Sequence, residues 1–252
     1  MKRTSYIFLL ILIVFYSNAQ VGAWELATKA EMIAAYQKAC TWFSNTQNYA
    51  FKLKYTSFKN HTSNEVIESS EGYYKRLGNK YKTEAIGIKT VQNEKVRIII
   101  DTTDKLITVL NPGKLNPSLT ESKDLEVMLD NVKALKKRKV GKSICYRIDF
   151  IKNELYEAYE YTINEKGLLQ SLVYYYSEQT EDDDGDGEYT TPIKTKVKPR
   201  LEVIFSNYQT PIAIAESEFY EKLVVLNGNQ KINLLDKYKA FQVKDYRYQA
   251  KK

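Results

Sequence analysis

The sequence feature that most constrains the fold is a repeated two-residue alternation of large apolar and polar or small side chains. In the clearest case, Tyr49, Phe51, Leu53 and Tyr55 alternate with Ala, Lys, Lys and Thr. This is the period of a β-strand that buries one face. The chain has 21 tyrosines, but only five prolines and ten glycines in 252 residues. Strands are favoured, because aromatic side chains suit a half-buried pleated surface.

Similar segments recur along the chain and predict about eleven strands in all. Beyond the first strand, the predicted strands cover residues 72–77, 80–85, 95–101, 106–110, 144–150, 156–163, 168–176, 201–205, 222–226 and 240–248. Turn-forming residues separate them. Gly78-Asn79, residues 164–167 and Asn227-Gly228 are hairpin candidates, because glycine and asparagine tolerate the backbone conformations of tight turns.

Two segments have helical spacing instead. Residues 24–45 place apolar side chains every three or four positions without Gly or Pro, which predicts one helix. A second helix is predicted over residues 120–135, with Thr120 as its N-cap. Its apolar stripe would consist of Leu125, Met128, Leu129, Val132 and Leu135.

The order of these elements predicts an α+β fold. One helix, about five strands, a second helix and about six strands follow one another without a repeat or a linker. Consecutive hairpins favour an unclosed antiparallel β-barrel or curved sheet of about eleven strands. The N-terminal helix and the mid-chain helix would then cover its apolar face.

The first nineteen residues predict an export signal. Lys2 and Arg3 precede a mainly apolar run over residues 6–16, and small residues stand before the expected cleavage site after Ala19. The run is shorter than the about 20 residues that a spanning helix needs. We therefore expect a periplasmic protein with one domain over residues 20–252. An uncleaved signal anchor is the alternative.

Residues for the common kinds of catalysis are scarce. The one histidine, His61, lies in a polar stretch that is expected to form an exposed turn. The nucleophile-elbow, dinucleotide, Walker and zinc-protease motifs are all missing from the sequence. We expect a protein that is not an enzyme and that uses no cofactor. An exported chain permits a Cys40–Cys145 disulfide, and two buried free thiols remain the alternative.

An acidic segment, residues 181–188, contains six acids in eight positions. Asp182, Asp184 and Asp186 match the first ligand positions of a calcium loop, in which alternate carboxylates converge on the cation. Ile193 stands where the last ligand of such a loop, a glutamate, is expected. The alternative interpretation is a hairpin tip whose like charges repel each other and stay hydrated.

Two basic segments, residues 136–139 and residues 194–200, offer surfaces for anionic partners. The first follows the second predicted helix, and the second places Lys or Arg at every other position. They predict contact with an anionic membrane surface or an acidic envelope protein. The alternative is that lysines on an edge strand discourage aggregation. Nucleic acid is not an expected partner of an exported protein.

The inward positions of the strands are rich in aromatic side chains. Tyrosine often lines cavities that are apolar inside and wet at the rim, so these positions form a candidate apolar cavity. The candidates are Phe51, Leu53, Tyr55, Tyr81, Tyr146, Ile148, Phe150, Tyr174, Val203 and Phe205. Ordinary core packing is the alternative interpretation.

In the order of its elements, the chain resembles the periplasmic lipoprotein-carrier (LolA-like) family. Local similarities are residues 72–76 continuing to Tyr81-Lys82, residues 99–101 leading to 106–107, and residues 201–208 as a late strand. The resemblance implies an unclosed barrel whose helices cover a cavity for acyl chains. It adds Arg76 to the candidate cavity residues, although Leu77 stands where the family commonly has proline.

The residues and the resemblance together predict a non-enzymatic periplasmic carrier or binder of a hydrophobic ligand. Lipid or lipoprotein acyl chains are the expected ligands, and opening of the helical cover would release them. The alternative is a docking module of a cell-envelope assembly, whose barrel is filled by its own side chains.

Overall fold

The computed structural model of the protein describes residues 21–113, 123–151, 153–182, 194–220, 224–226 and 232–247. The predicted export signal, the middle of the acidic segment and the Asn227-Gly228 turn lie outside the described residues.

The described residues form seventeen β-strands, two α-helices and two short 3-10 helices. The strands are β1 (Glu25–Leu26), β2 (Asn48–Phe58), β3 (Val66–Leu77), β4 (Lys80–Ala85), β5 (Ile88–Gln92), β6 (Arg97–Asp101), β7 (Leu106–Leu110), β8 (Val132–Val140), β9 (Ser143–Phe150), β10 (Tyr156–Ile163), β11 (Leu169–Tyr176), β12 (Gln179–Asp182), β13 (Lys194–Val197), β14 (Arg200–Gln209), β15 (Val224–Leu226), β16 (Ile232–Leu234) and β17 (Gln242–Asp245). The helices are α1 (Lys29–Asn45) and α2 (Lys123–Met128), with 3-10 turns at Glu216–Phe219 and Asp236–Tyr238.

Thirteen of the strands form one curved sheet, in the order β1-β8-β9-β10-β11-β14-β2-β3-β4-β5-β6-β7-β17. All neighbours are antiparallel except β17, which runs parallel to β7. Two separate ribbons, β12-β13 and β15-β16, complete the described strands. Because β1 and β17 end the sheet without pairing to each other, it is an unclosed half-shell. The predicted α+β class is confirmed, with thirteen strands in the sheet where about eleven were expected.

The first helix begins five residues later than predicted. The Thr28 hydroxyl accepts a hydrogen bond from the Glu31 main-chain amide, and the Glu31 carboxylate accepts one from the Thr28 amide, at 3.2 Å and 2.9 Å. This capping box satisfies two amides that the first helical turn leaves free. The Thr-x-x-Glu spacing is visible in the sequence. The preceding residues Glu25–Leu26 pair with β8 instead.

The prediction of a helix over residues 120–135 is wrong in its second half. α2 ends at Met128, and Val132 and Leu135 lie on β8. A bulge between Val132 and Ala134 shifts the register of β8 against β9. The bulge places Val132 and Leu135 on the same face at a spacing of three, which imitates the spacing of a helix. The basic residues 136–139 therefore belong to a strand and do not follow a helix.

The sheet carries apolar clusters on both faces. The larger cluster includes α1 and the inward side chains of β2, β9, β10 and β14. From β4 to β7, each strand places one residue directly opposite the next: Tyr81, Gln92, Arg97 and Leu110. No bulge interrupts this row, so the four side chains lie on the face of the sheet that α1 covers. Ile98 and Ile107 consequently point to the opposite face. There the C-terminal segment, residues 232–247, covers them.

Two further features complete the description of the fold. Strand β5 was not predicted, because neither its Ile88-Thr90-Gln92 face nor its Lys89-Val91 face is a row of large apolar residues. Among the described residues, no helix combines the length and the apolar character needed to cross a bilayer.

Candidate functional site

The candidate site is the inner face of the half-shell, defined as the face against which α1 packs. Met32, Ala39 and Phe43 of α1 are buried there, together with Leu125 and Leu129 at α2. Both helices therefore cover this face, as the sequence predicted.

The structure brings all eleven predicted cavity residues to the inner face. Eight are buried in the larger cluster, Tyr55 and Tyr174 are partly buried against it, and Arg76 is buried between the sheet and α1. The buried eight are Phe51, Leu53, Tyr81, Tyr146, Ile148, Phe150, Val203 and Phe205. Their placement follows the two-residue alternation, since their cross-strand partners point the same way.

Beneath the C-terminal half of α1 the inner face is filled by aromatic rings. Tyr49, Phe51, Tyr74 and Tyr81 stack across three strands with interplanar angles of 5–16° between neighbouring rings. Phe43 of the helix packs on Phe51 at 5.9 Å between ring centres. Burial raises the pKa of Tyr74, because the charged phenolate would not be solvated by water there. This part of the inner face is thus occupied by the protein's own side chains.

Arg76 fastens the end of α1 to the sheet. It is only 3% exposed, and its guanidinium donates to the main-chain carbonyls of Phe43 and Gly78. Phe43 is in the last turn of the helix, whose carbonyls lack intrahelical partners and carry partial negative charge. The cation therefore satisfies the Phe43 carbonyl, and it also lies 5.8 Å from the centre of the Tyr49 ring.

Three further polar contacts hold the first half of α1. The Tyr161 hydroxyl donates to the carbonyl of Met32 at 2.7 Å. Lys137 of β8 donates to the Glu31 carboxylate at 2.7 Å, and it is the main reason why the pKa of Glu31 falls to about 2. Lys29 pairs with Asp130 at 2.6 Å. The helix is thus held by a few polar contacts along its whole length as well as by its apolar side.

Four tyrosines of the inner face lie towards the strand ends where β10 begins and β2 and β11 end. These residues, Tyr55, Tyr156, Tyr174 and Tyr176, which we call the tyrosine rim, are only half-buried in the described structure. The Tyr156 ring lies 5.5 Å from Tyr174 and 5.2 Å from Tyr176, between ring centres. Burial of the ring raises the pKa of Tyr174 to about 12. The rim combines apolar ring faces with hydroxyl groups near solvent.

Both basic segments are largely neutralised by acids of the same chain. Their ion pairs within 3.8 Å are Lys136–Asp149, Lys137–Glu31, Arg138–Glu160, Lys196–Glu178, Lys198–Glu157 and Arg200–Glu202. Lys194 and Lys196 lie on the separate β12-β13 ribbon and are not on an edge strand of the main sheet. Among the described side chains, most of the basic residues of these two segments are therefore held in ion pairs within the chain.

His61 is less exposed than the sequence suggested. It lies between β2 and β3, where Nε2 is 2.8 Å from the carbonyl oxygen of Tyr176, and its ring packs edge-on against Tyr175. It therefore fastens the β2-β3 turn to the end of β11, a structural role that its polar surroundings in the sequence did not reveal.

Cys40 and Cys145 are free and both are buried, so the predicted disulfide is wrong and the alternative of two buried free thiols is confirmed. Burial raises the pKa of Cys40 to about 11. Of the calcium candidates, Asp182 ends β12, whereas Asp184 and Asp186 lie outside the described residues. Within the described part of the chain, no group of three metal-binding side chains comes together.

No family model matches the sequence, and no curated protein matches it. Among solved structures, the fold is similar to an uncharacterized conserved protein from Thermus thermophilus, with TM-score 0.41 and 11% identity over 86% of this chain and 99% of that chain. It is also similar to the lipoprotein LppX of Mycobacterium tuberculosis, with TM-score 0.35 and 10% identity over 75% and 100%. A LolA superfamily protein from Nitrosomonas europaea matches with TM-score 0.31 and 9% identity over 77% and 99%.

Several inner-face residues were missed by the sequence analysis. Tyr159 and Tyr161 are buried in the larger cluster, and Tyr208 packs against it. Tyr159, Tyr161 and Ile163 alternate with Glu160 and a threonine, so the two-residue pattern already pointed to them. Tyr208 follows an irregularity in the β14-β2 register, where the alternation gives no guide.

Proposed function

We propose that this protein is a non-enzymatic periplasmic carrier that holds the acyl chain of a lipid or lipoprotein on its inner face. No cofactor is required, because the binding is apolar and the chain is released unchanged. Burial of each methylene group contributes about 0.8 kcal/mol, so even part of an acyl chain supplies useful affinity.

The observation that carries this proposal is the half-buried tyrosine rim. A self-contained core would bury these rings completely or expose them one at a time. Here Tyr156 contacts Tyr174 and Tyr176 in a half-buried group that borders the larger apolar cluster. An acyl chain laid along the rings would remove their apolar faces from water and leave the hydroxyls hydrated. The ligand would therefore enter at the rim and extend towards α1.

The polar contacts of α1 are compatible with a cover that moves. Hydrogen bonds from Arg76 and Tyr161 to helix carbonyls can be exchanged for water, unlike a covalent link or a wholly apolar contact. Movement of α1 would enlarge the space over the aromatic stack and let a longer chain enter.

The alternative function is a docking module of a cell-envelope assembly. The stack of Tyr49, Phe51, Tyr74 and Tyr81 favours it, because these rings already fill the inner face beneath α1. Organic extraction of the purified protein followed by mass spectrometry separates the two functions. A stoichiometric lipid, or uptake of a fluorescent acyl probe by the empty protein, supports the carrier. An empty protein that takes up no probe supports the docking module.

A matched pair of variants assigns any probe binding to a face of the sheet. Tyr174→Ala removes a rim ring, and Tyr73→Ala removes a tyrosine from the opposite face of β3, where its hydroxyl donates to Glu84. The proposal expects weaker probe binding only for Tyr174→Ala. Equal loss in both variants would contradict binding on the inner face.

A further inference from the structure

A polar cleft of about 560 Å³ opens beside the tyrosine rim. It forms where β8 begins, β9 ends and β10 begins, since Ala134, Asp149 and Ala158 are neighbours across these strands. Lys133, Lys136, Arg147, Asp149 and Asn153 supply most of its polar lining. We call this space the rim cleft.

The rim cleft adjoins the inner face at the end of β9 and the start of β10. Phe150 and Tyr156 both line the cleft. Phe150 also belongs to the larger apolar cluster, and Tyr156 packs against that cluster. Lys136, Arg147 and Asp149 alternate with inward residues of β8 and β9, so their side chains lie on the face opposite α1. A molecule whose apolar part lies on the inner face would therefore cross the strand ends beside these two rings to place its polar end in the cleft.

The charges of the cleft leave one cation uncommitted. Asp149 accepts hydrogen bonds from Lys136 and from Arg147, each at 2.7 Å. Glu157 is paired with Lys198 at 2.6 Å. Lys133 is exposed and has no ion-pair partner among the described residues. The surplus positive charge of the cleft is thus at Lys133.

Asn153 adds an oriented neutral donor. Its side-chain oxygen accepts from the main-chain amides of Leu155 and Tyr156 at 2.9 Å and 3.1 Å. The Ser177 hydroxyl donates to the Asn153 carbonyl at 2.9 Å. The two bonds to the side-chain oxygen orient the carboxamide, and the Ser177 bond holds its main chain. Its amide nitrogen makes no hydrogen bond to the described residues and is the group left to donate to a ligand in the cleft.

Aliphatic side chains flank the same opening. Ile151 and Leu155 are 66% and 62% exposed, on the short connection between β9 and β10. An opening with an ammonium group, an oriented amide and exposed aliphatic side chains matches the region of a lipid where phosphate meets the acyl chain.

We propose that the rim cleft binds the phosphate group of a lipid whose acyl chain lies on the inner face. This inference rests on the proposed carrier function and names the ligand class: a phosphate-bearing acyl lipid. Lys133 would pair with the phosphate, and Asn153 would donate to one of its oxygens. Lys136 and Arg147 stay on Asp149 and contribute a positive background.

Two ligands that differ only in the phosphate test this inference. Palmitoyl lysophosphatidate and monopalmitoyl glycerol are titrated against the purified protein, below their micelle concentrations, by displacement of a fluorescent acyl probe. The expected result is about tenfold tighter binding of the lysophosphatidate, as for one or two charge-assisted hydrogen bonds. Inorganic phosphate alone is expected to bind far more weakly, because it lacks the chain.

The variant Lys133→Ala is expected to remove most of this difference and leave the binding of monopalmitoyl glycerol unchanged. Lys54→Ala, an exposed lysine on β2, is the matched control and keeps the difference. Circular dichroism confirms that both variants are folded.

Each other outcome has one meaning. Equal binding of the two lipids by the unmodified protein overturns the phosphate site and leaves the carrier function standing. Failure of both lipids to bind overturns the carrier function itself. Inorganic phosphate that binds as tightly as the lysophosphatidate, or an equal effect of Lys54→Ala, also overturns the inference.

Discussion

The Arg76 guanidinium donates to the main-chain carbonyl of Phe43 and so joins the middle of the sheet to the last turn of α1. The same side chain donates to the carbonyl of Gly78 at 2.8 Å. Among the described residues Arg76 has no carboxylate partner, and its buried charge is tolerated because carbonyl dipoles at a helix end and at a turn solvate it.

Removal of this cation is expected to destabilise the protein. Arg76→Ala leaves the Phe43 carbonyl buried without its donor and should lower the free energy of unfolding by about 2–4 kcal/mol. Arg76→Lys should give an intermediate value, since one ammonium group replaces the forked guanidinium. Urea denaturation measures both, with Lys54→Ala as an exposed control expected within about 0.5 kcal/mol of the unmodified protein. An unchanged unfolding midpoint for Arg76→Ala would show that the contact does not hold α1.

The contact between Glu31 and Lys137 makes stability depend on pH in the acid range. The hydrogen bond from Lys137 lowers the pKa of Glu31 from 4.5 to about 2. A lowered pKa stabilises the folded state above the ordinary value, and this contribution is lost as the pH falls from about 4.5 to about 2. Lys137→Met should shrink this acid-range loss. Lys139→Met, on the same strand, should keep it. The measurement is the urea midpoint as a function of pH, and identical profiles for the two variants would refute the assignment.

The buried tyrosines make the protein sensitive to alkali. Burial raises the pKa of Tyr174 to about 12, and it raises those of Tyr74, Tyr161 and Tyr208 further. A raised pKa stabilises the folded state fully below the ordinary value of 10, and for Tyr174 this contribution is lost as the pH rises from 10 to about 12. We expect tyrosinate absorbance to rise in two stages, the second together with loss of the far-ultraviolet circular dichroism. One smooth stage with the fold intact would contradict the burial of these rings.

Gly72 allows β3 and β4 to approach closely. A Cβ atom at this position would overlap the main-chain carbonyl of Glu84 and lie 2.8 Å from the Cβ atom of Ala85. Gly72→Ala should therefore cost about 1–3 kcal/mol, because a backbone atom must move. At Gly22 the nearest atom would be 3.4 Å away, so Gly22→Ala is a control with little expected effect. Thermal unfolding of both variants tests this prediction. Equal melting temperatures for Gly72→Ala and Gly22→Ala would contradict the close approach of β3 and β4 at Gly72.

The sequence predicts the inner face well, because a two-residue period assigns every side chain of a strand to a face. Phe51, Ile148 and Phe205 are on different strands, and their alternation alone placed them together. The same rule failed at β8. There the bulge beside Lys133 changed the spacing of the inward residues to that of a helix. A local irregularity of one residue is enough to change the apparent secondary structure.

The second apolar cluster shows a different limit of the sequence. Arg97, Ile98, Ile99 and Ile100 predict a strand, but three consecutive isoleucines do not show which face will be covered. That choice depends on Tyr238 and the rest of the C-terminal segment, which pack on the face opposite α1. Which isoleucines are buried depends on contacts between distant parts of the chain. The periodicity of a short segment cannot predict such contacts.

Photo-crosslinking tests most directly whether the inner face holds an acyl chain. The purified protein is irradiated with palmitate that carries a photoreactive group on its chain, and labelled peptides are identified by mass spectrometry. We predict saturable labelling of peptides from β2, β10 and β11, which carry the tyrosine rim, and competition by unlabelled palmitate. Labelling confined to the C-terminal segment, or no saturable labelling, would contradict the carrier function.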